Sequence, residues 1–220
     1  LDPWDFPHAG EPTAEDLKKQ EKQGRTGYTV KAPSKHWIVN DLEHPYNEVK
    51  RFDWMRGYHV GGRSIMWGRH RYRWSEMDFA ANGNEGIAVD WPVRYKDIAP
   101  WYDKVESYIG VSGELLGLPQ LPDGQFEPMM ELNCVEDHVR GKVAEHFDGR
   151  IITAGRVAHI NSDKKFEGDG RVRCQYRNRC IRGCPFGGYF SSLSSTLPAA
   201  ERTGNMTLRP DSIVHEIMYD

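Results

Sequence analysis

The chain has no long apolar run: its longest are a few residues, against the roughly 20 that a helix needs to cross a bilayer. No charged-then-apolar segment of the secretory kind stands at its start. It lacks a surplus of charge of one sign, with 29 Lys+Arg against 32 Asp+Glu and a formal net charge of −3, which argues against a general polyanion or anionic-membrane binder. Cysteine is scarce, at 4 in 220 residues, too few for a disulfide-stapled mini-domain, and the chain is long enough to build a core without staples. It has no internal repeat, no low-complexity tract and no recognisable pairing of a histidine with a nucleophile or acid, so no catalytic residue is assigned. It also begins without Met and breaks off inside an apparent strand pattern, DSIVHEIMYD, and so reads as a piece of a longer protein.

What is present divides along the chain. Thr13 and Asp16 have capping-box spacing ahead of LKKQEKQ, which predicts a short exposed helix, and residues 28 to 58 alternate short apolar pieces with Pro and Asn as extended segments and loops. In YKDIAPWYDKVESYIGVSG, Ile98, Trp101, Tyr102, Val105, Tyr108 and Ile109 recur at three and four, predicting an amphipathic helix on a core that stops at Gly110 or Gly113. A second helix is expected in ELNCVEDHVRGKVAEHF, with Leu132, Val135, Val139 and Val143 on one face and Cys134 along it. A third is expected in LSSTLPAAERTG, stopping at Gly204. IITAGRVAHI, MTLRP and SIVHEIMYD read as strands.

Three of the four cysteines fall in RVRCQYRNRCIRGCPFGG as C-x5-C-x3-C. An irregular Gly/Pro loop can turn Cys174, Cys180 and Cys184 inward, as an iron-sulfur cluster requires. Structural zinc favours four ligands in paired short spacings, and His159 and His215 are distant, but zinc and cysteines without metal, thiol or disulfide, both stay open. Arg171, Arg173, Arg177, Arg179 and Arg182 admit two readings: compensation of a negatively charged cluster, or a cysteine-held knuckle that grips RNA. In HVGGRSIMWG, the Gly61-Gly62 pair permits close backbone approach by a phosphate or flat cofactor, or is simply a turn. Trp67 and Gly68 add an aromatic plate and a further open backbone position. Arg69, His70, Arg71 and Arg73 are either part of the site or a solvated rim.

Taken in order, GYHVGGRSIMWGRHRYRWSEMDF, DWPVRYKDIAPWYDKVESYIGVSG and TLPAAERTGNMTLRPDSIVHEIMYD resemble the glucose-methanol-choline flavoprotein oxidoreductases, in particular the bacterial sugar dehydrogenase branch. The resemblance implies an α/β (mixed α+β) fold: a partial FAD-binding Rossmann-like domain plus part of a substrate domain. Residues 1–90 would be the middle of the FAD domain, 91–170 a helical and strand segment partly in the substrate domain, 171–190 the cysteine loop, and 191–220 a return to the FAD domain. It places Gly61, Gly62, Ser64, Trp67 and Gly68 against the isoalloxazine and pyrophosphate and gives the Val214 backbone to the adenine. It makes Cys174, Cys180 and Cys184 the ligands of a [3Fe-4S] cluster. Met66 stands where some relatives carry a histidine joined to FAD, which implies a noncovalent flavin.

By the same resemblance, the protein oxidises a hydroxyl of a sugar, glycoside or polyol, with the ring 3-hydroxyl of glycosides expected before the anomeric carbon of glucose. Electrons pass through the cluster to a cytochrome c or quinone-type acceptor, and the setting is the bacterial periplasm. An oxygen-using oxidase of the same family is the alternative within the class. The family's G-x-G-x-x-G turn for the FAD diphosphate and its C-terminal catalytic histidine are expected outside these 220 residues.

Overall fold

The capping box foreseen at Thr13 is formed: Asp16 N–H donates to Thr13 Oγ1 at 3.1 Å, and Thr13 N–H to Asp16 Oδ2 at 2.9 Å, so two of the orphan amides that every helix start exposes are satisfied. The structure is a computed structural model that describes residues 10–25, 31–163, 166, 170–178, 180, 184–214 and 216–219. Its α-helices are α1 (Ala14–Lys19), α2 (Glu21–Gly24), α3 (Glu76–Glu85), α4 (Tyr95–Ile109), α5 (Cys134–His146) and α6 (Thr196–Arg202), with 3-10 turns at Lys35–Trp37, Gly62–Ile65 and Ser192–Ser194. The described residues separate into two units. One comprises Leu1–Trp67, Asn178–Pro185 and Ser191–Asp220; the other comprises Gly68–Arg177 and Phe186–Phe190.

In the first unit, α1 and α2 dock through two buried glutamines. Gln20 Nε2 donates to the carbonyls of Lys35 (3.0 Å) and Ile38 (2.9 Å), and Gln23 Nε2 donates to Asp41 Oδ2 (2.8 Å), beside the buried side chains of Ala32, Ile38 and Val39. Buried amides are tolerated here because each finds an acceptor. Lys35 pairs with Asp16 at 2.7 Å, and its hydrogen bond, ahead of those from Thr13, draws the Asp16 carboxyl down to about 2. Next to this core, Tyr46, Asn47, Glu48, Val49, Lys50, Phe52 and Trp54 line an open cavity of about 420 Å³.

In the second unit the apolar core is Phe79, Ile109, Val111, Ala158, Ile160 and Phe166, and it is threaded by buried charge. Arg73 Nε donates to both carboxylate oxygens of Glu106 at 3.0 and 3.1 Å, its Nη1 reaches Tyr95 Oη at 3.0 Å, and its Nη2 bonds Asp103 and Glu106. Burial alone would lower the Arg73 pKa; the bonds to Glu106, Asp103 and Tyr95 outweigh it and raise it. Helix α4 ends where the sequence predicts, at Gly110 with φ +74, but only part of its apolar stripe faces the core. Ile109 is buried and Ile98 and Tyr102 are half-buried, whereas Trp101, Val105 and Tyr108 are exposed and the helix buries Glu106. On α5, Val135 and Val139 are likewise exposed.

The expected Rossmann-like α/β fold is not found. Among the described residues pairing is confined to isolated bridges, His70 with Val157, Ser112 with Glu127 and with Val157, Leu118 with Leu121, and His159 with Tyr189, and no strand forms. The reason lies in the partners of residues 156–160. Arg156 O accepts from Arg71 N, Val157 exchanges both bonds with Ser112, Ala158 N donates to Arg69 O, and Ile160 N donates to Gly188 O. Each neighbour stays for one or two residues, too briefly for a ladder. Buried arginines take up further carbonyls: Arg69 Nε binds Phe190 O at 2.7 Å, Arg156 Nη1 binds Pro122 O at 2.6 Å, and Arg171 binds Gly187 O and Ile109 O, each at 2.9 Å. The segments 206–209 and 212–214 form neither helix nor bridge among the described residues, with Ile213 and Val214 exposed.

Candidate cofactor site

Two glycines in succession at positive φ, Gly61 at +96 and Gly62 at +50, reverse the chain after His59, a conformation that side chains resist. Gly62 N–H donates to His59 O at 2.9 Å and Ser64 N–H to Gly61 O at 3.1 Å, which winds Gly62–Ile65 into its 3-10 turn. The turn is tied to a segment far along the chain in the same unit. Ser64 Oγ donates to Gly61 O at 2.6 Å and accepts from Ser192 N–H at 3.0 Å, and the two hydroxyls lie 2.8 Å apart. Leu193 packs on Gly61, where a Cβ would sit 3.0 Å from its Cγ.

These contacts distinguish the glycines. The space at Gly61 is filled by Leu193; at Gly62 nothing lies within 4 Å of where a Cβ would project, so its Cα face is open to a flat ligand. A planar group therefore fits at Gly62, with Gly61 and Ser64 as its support, since the Ser64 hydroxyl is already engaged. On the other side, Trp37 meets the His59 ring edge-on at 4.7 Å, and Met66 Sδ lies 2.6 Å from where a Cβ on Gly57 would stand. Burial lowers the His59 pKa, opposed by a hydrogen bond with the Gly62 backbone, and its Nε2 is buried without a hydrogen-bond partner. Burial thus disfavours the charged form of the imidazole next to the turn.

Trp67 is half-buried at the end of this unit, and the exposed Gly68 opens the other. Val214 is exposed. His59, Ser192 and Leu193 were not singled out by sequence. Ser192 lies in a capped turn, in which Ser194 N–H donates to Ser191 Oγ at 3.3 Å and Ser191 N–H to Ser194 Oγ at 3.2 Å.

The cysteine loop is kinked twice between its first two thiols, with Tyr176 and Asn178 both at φ +50. Cys174 N–H donates to Ile160 O at 2.9 Å within the second unit, whereas Cys180 and Cys184 belong to the first, and all three are partly exposed. Among the described residues no three His, Cys, Asp or Glu side chains are gathered closely enough to hold a metal. The sulfur donors suit iron in chemistry, and no reaction step is derived through a cluster. Of the arginines beside them, Arg171 is buried on carbonyls between Phe166 and Phe190, Arg173 donates to Asn161 Oδ1 at 3.1 Å, and Arg179 and Arg182 lie outside the described residues. Cys134 is exposed at the first turn of α5.

A half-buried histidine lies in the second unit. His159 packs edge-on against Tyr189 at 4.5 Å, and Arg69 lies 3.6 Å over the same ring. Burial, then Arg69, then His70 bring its pKa down to about 4.

No protein-family profile matches the chain. Over 168 residues, 73% of its length, it is 24% identical to the fructose dehydrogenase large subunit of Gluconobacter japonicus, covering 29% of that protein. Over 66 residues, 29% of its length, it is 35% identical to 2-methyl-1,2-propanediol dehydrogenase of Mycolicibacterium austroafricanum, covering 12% of it. The chain thus spans less than a third of the length of either relative, and both are named as dehydrogenases. Among the described residues no helix is long and apolar enough to cross a membrane.

Proposed function

We propose that the chain is part of an FAD-dependent dehydrogenase that oxidises a hydroxyl of a sugar, glycoside or polyol and hands the electrons to an external acceptor. The observation that carries this is the Gly61-Gly62 turn, closed by Ser64 and Ser192 and open at Gly62. Similarity to two proteins named as dehydrogenases, one of a sugar and one of a diol, supports the substrate class. Bound FAD would accept the hydride from the carbon that bears the hydroxyl. The chain's own residues supply the support: an open backbone face at Gly62, a turn that cannot unwind without breaking the serine bonds, and the His59 ring beside it.

The full-length protein is expected to carry flavin, and acid precipitation should release it, because Met66 offers no nitrogen for a covalent link. Gly62→Val, which puts a branched side chain on the open face at positive φ, should abolish flavin retention on gel filtration. A colourless native protein, or colour that stays in the acid pellet, contradicts the noncovalent-FAD reading.

The C-x5-C-x3-C spacing further supports one iron-sulfur cluster on Cys174, Cys180 and Cys184, with metal binding itself gathering the loop. Cys180→Ser should then remove iron measured by elemental analysis while bound flavin is retained, and Cys134→Ser should change neither. Native protein without iron, or iron that survives all three loop substitutions, would rule the cluster out.

A further inference from the structure

We propose that Ser192 is a positioning residue for the flavin turn, an inference that rests on the flavin reading above and adds the residue that sets the turn's geometry. The Gly61 carbonyl is the pivot of the turn, because its peptide bond joins the filled glycine to the open one. That oxygen accepts from Ser64 N–H at 3.1 Å, from Ser64 Oγ at 2.6 Å and from Ser192 Oγ at 3.3 Å. Two successive glycines at positive φ have no side chain to hold them, so the peptide between them would turn freely if these bonds were absent. Ser192 also donates its N–H to Ser64 Oγ at 3.0 Å, and the two hydroxyl oxygens lie 2.8 Å apart, so it fixes the Ser64 hydroxyl that in turn fixes Gly61.

The serine is itself held. It opens the Ser192–Ser194 turn, which is closed by reciprocal bonds between Ser191 and Ser194 and leads directly into α6, while Leu193 seats against Gly61. The Gly61-Gly62 peptide is thereby locked with the Gly62 Cα face outward. Ser192 acts through Ser64 and Gly61, and its contribution is preorganisation: flavin does not have to order the turn on binding.

The test compares Ser192→Val with Ser192→Thr in the full-length protein; the two side chains have nearly the same shape and differ in the hydroxyl. FAD affinity is read by titrating deflavinated protein, and the flavin visible circular dichroism and the thermal midpoint of the deflavinated protein are read alongside. Loss of the bonded hydroxyl should weaken FAD binding about tenfold in the valine variant and alter the flavin dichroism. Threonine should stay near wild type, and the two midpoints should agree. Wild-type affinity in a flavin-loaded Ser192→Val protein overturns the positioning role and leaves the flavin reading intact. Equal loss in both variants also overturns it, as does a valine variant that does not fold, since Ser192 would then serve the scaffold. Native protein without flavin overturns the flavin reading and this inference with it.

Discussion

Glu106→Ala is expected to lower the thermal midpoint of the protein by about 10 °C, the consequence of removing roughly 3 kcal/mol from its second unit. The Arg73 guanidinium is 3% exposed at its side chain and Glu106 1%, and a buried cation stripped of its main partner retains its desolvation cost without the compensating bonds. Asp103, 43% exposed, and Tyr95 stay in reach and keep the loss below that of a wholly orphaned charge. Gly124 shows how closely this pair is enclosed, since a Cβ there would fall 2.1 Å from Glu106 Oε2. Replacing both charges together, Arg73→Met with Glu106→Leu, should recover most of the stability, because an apolar pair in that space requires no compensation. A Glu106→Ala midpoint unchanged from wild type would show that Arg73 reaches water or another acceptor.

Gly188→Ala is the second large expected effect. A Cβ at this position would meet Val172 O at 2.8 Å, Cys174 N at 3.2 Å and Cys174 Cα at 3.3 Å, all backbone atoms that cannot swing aside as a side chain would. The segment carrying Cys174 must move, and its bond from Cys174 N–H to Ile160 O is the first to be stretched. A cost of about 1–3 kcal/mol follows from overpacking of this kind. The diagnostic measurement is Cys174 reactivity with a thiol reagent in a variant that keeps the other cysteines as serine: it should rise clearly over the same background with Gly188. Unchanged reactivity and unchanged stability together would place the 172–174 backbone away from Gly188.

Local signals in the sequence were legible where the physics was local. Thr13 and Asp16 announced α1, Gly110 announced the end of α4, and TLPAAER formed α6, because caps and stops act within a few residues. What failed depended on distant partners. The apolar period of α4 suggested that Trp101, Val105 and Tyr108 face a core, yet the face turned inward is the one carrying Glu106, chosen by an arginine 33 positions earlier that no periodicity reveals. IITAGRVAHI looked like a strand, but a strand needs neighbours that keep pace with it, and those of residues 156–160 do not. At the candidate site, the glycine pair was legible from its own conformational demand, whereas Ser192 meets Ser64 across 128 positions and carried no sign of that role.

The convergence of long-range backbone hydrogen bonds on Val157 and Ala158 has a consequence for how the protein is made. Ser112 is 45 positions from its partner Val157, and the Arg69 side chain waits for a carbonyl 121 positions later, at Phe190. Loop closure over such spans is costly before the contacts that reward it exist, so this unit folds slowly for its size. During synthesis the ribosome must deliver Phe190 before its bond with Arg69 can form, and until then the apolar residues destined for the core stand open to other chains. Chaperone demand in the interval between residues 157 and 190 is therefore built into the order of the sequence.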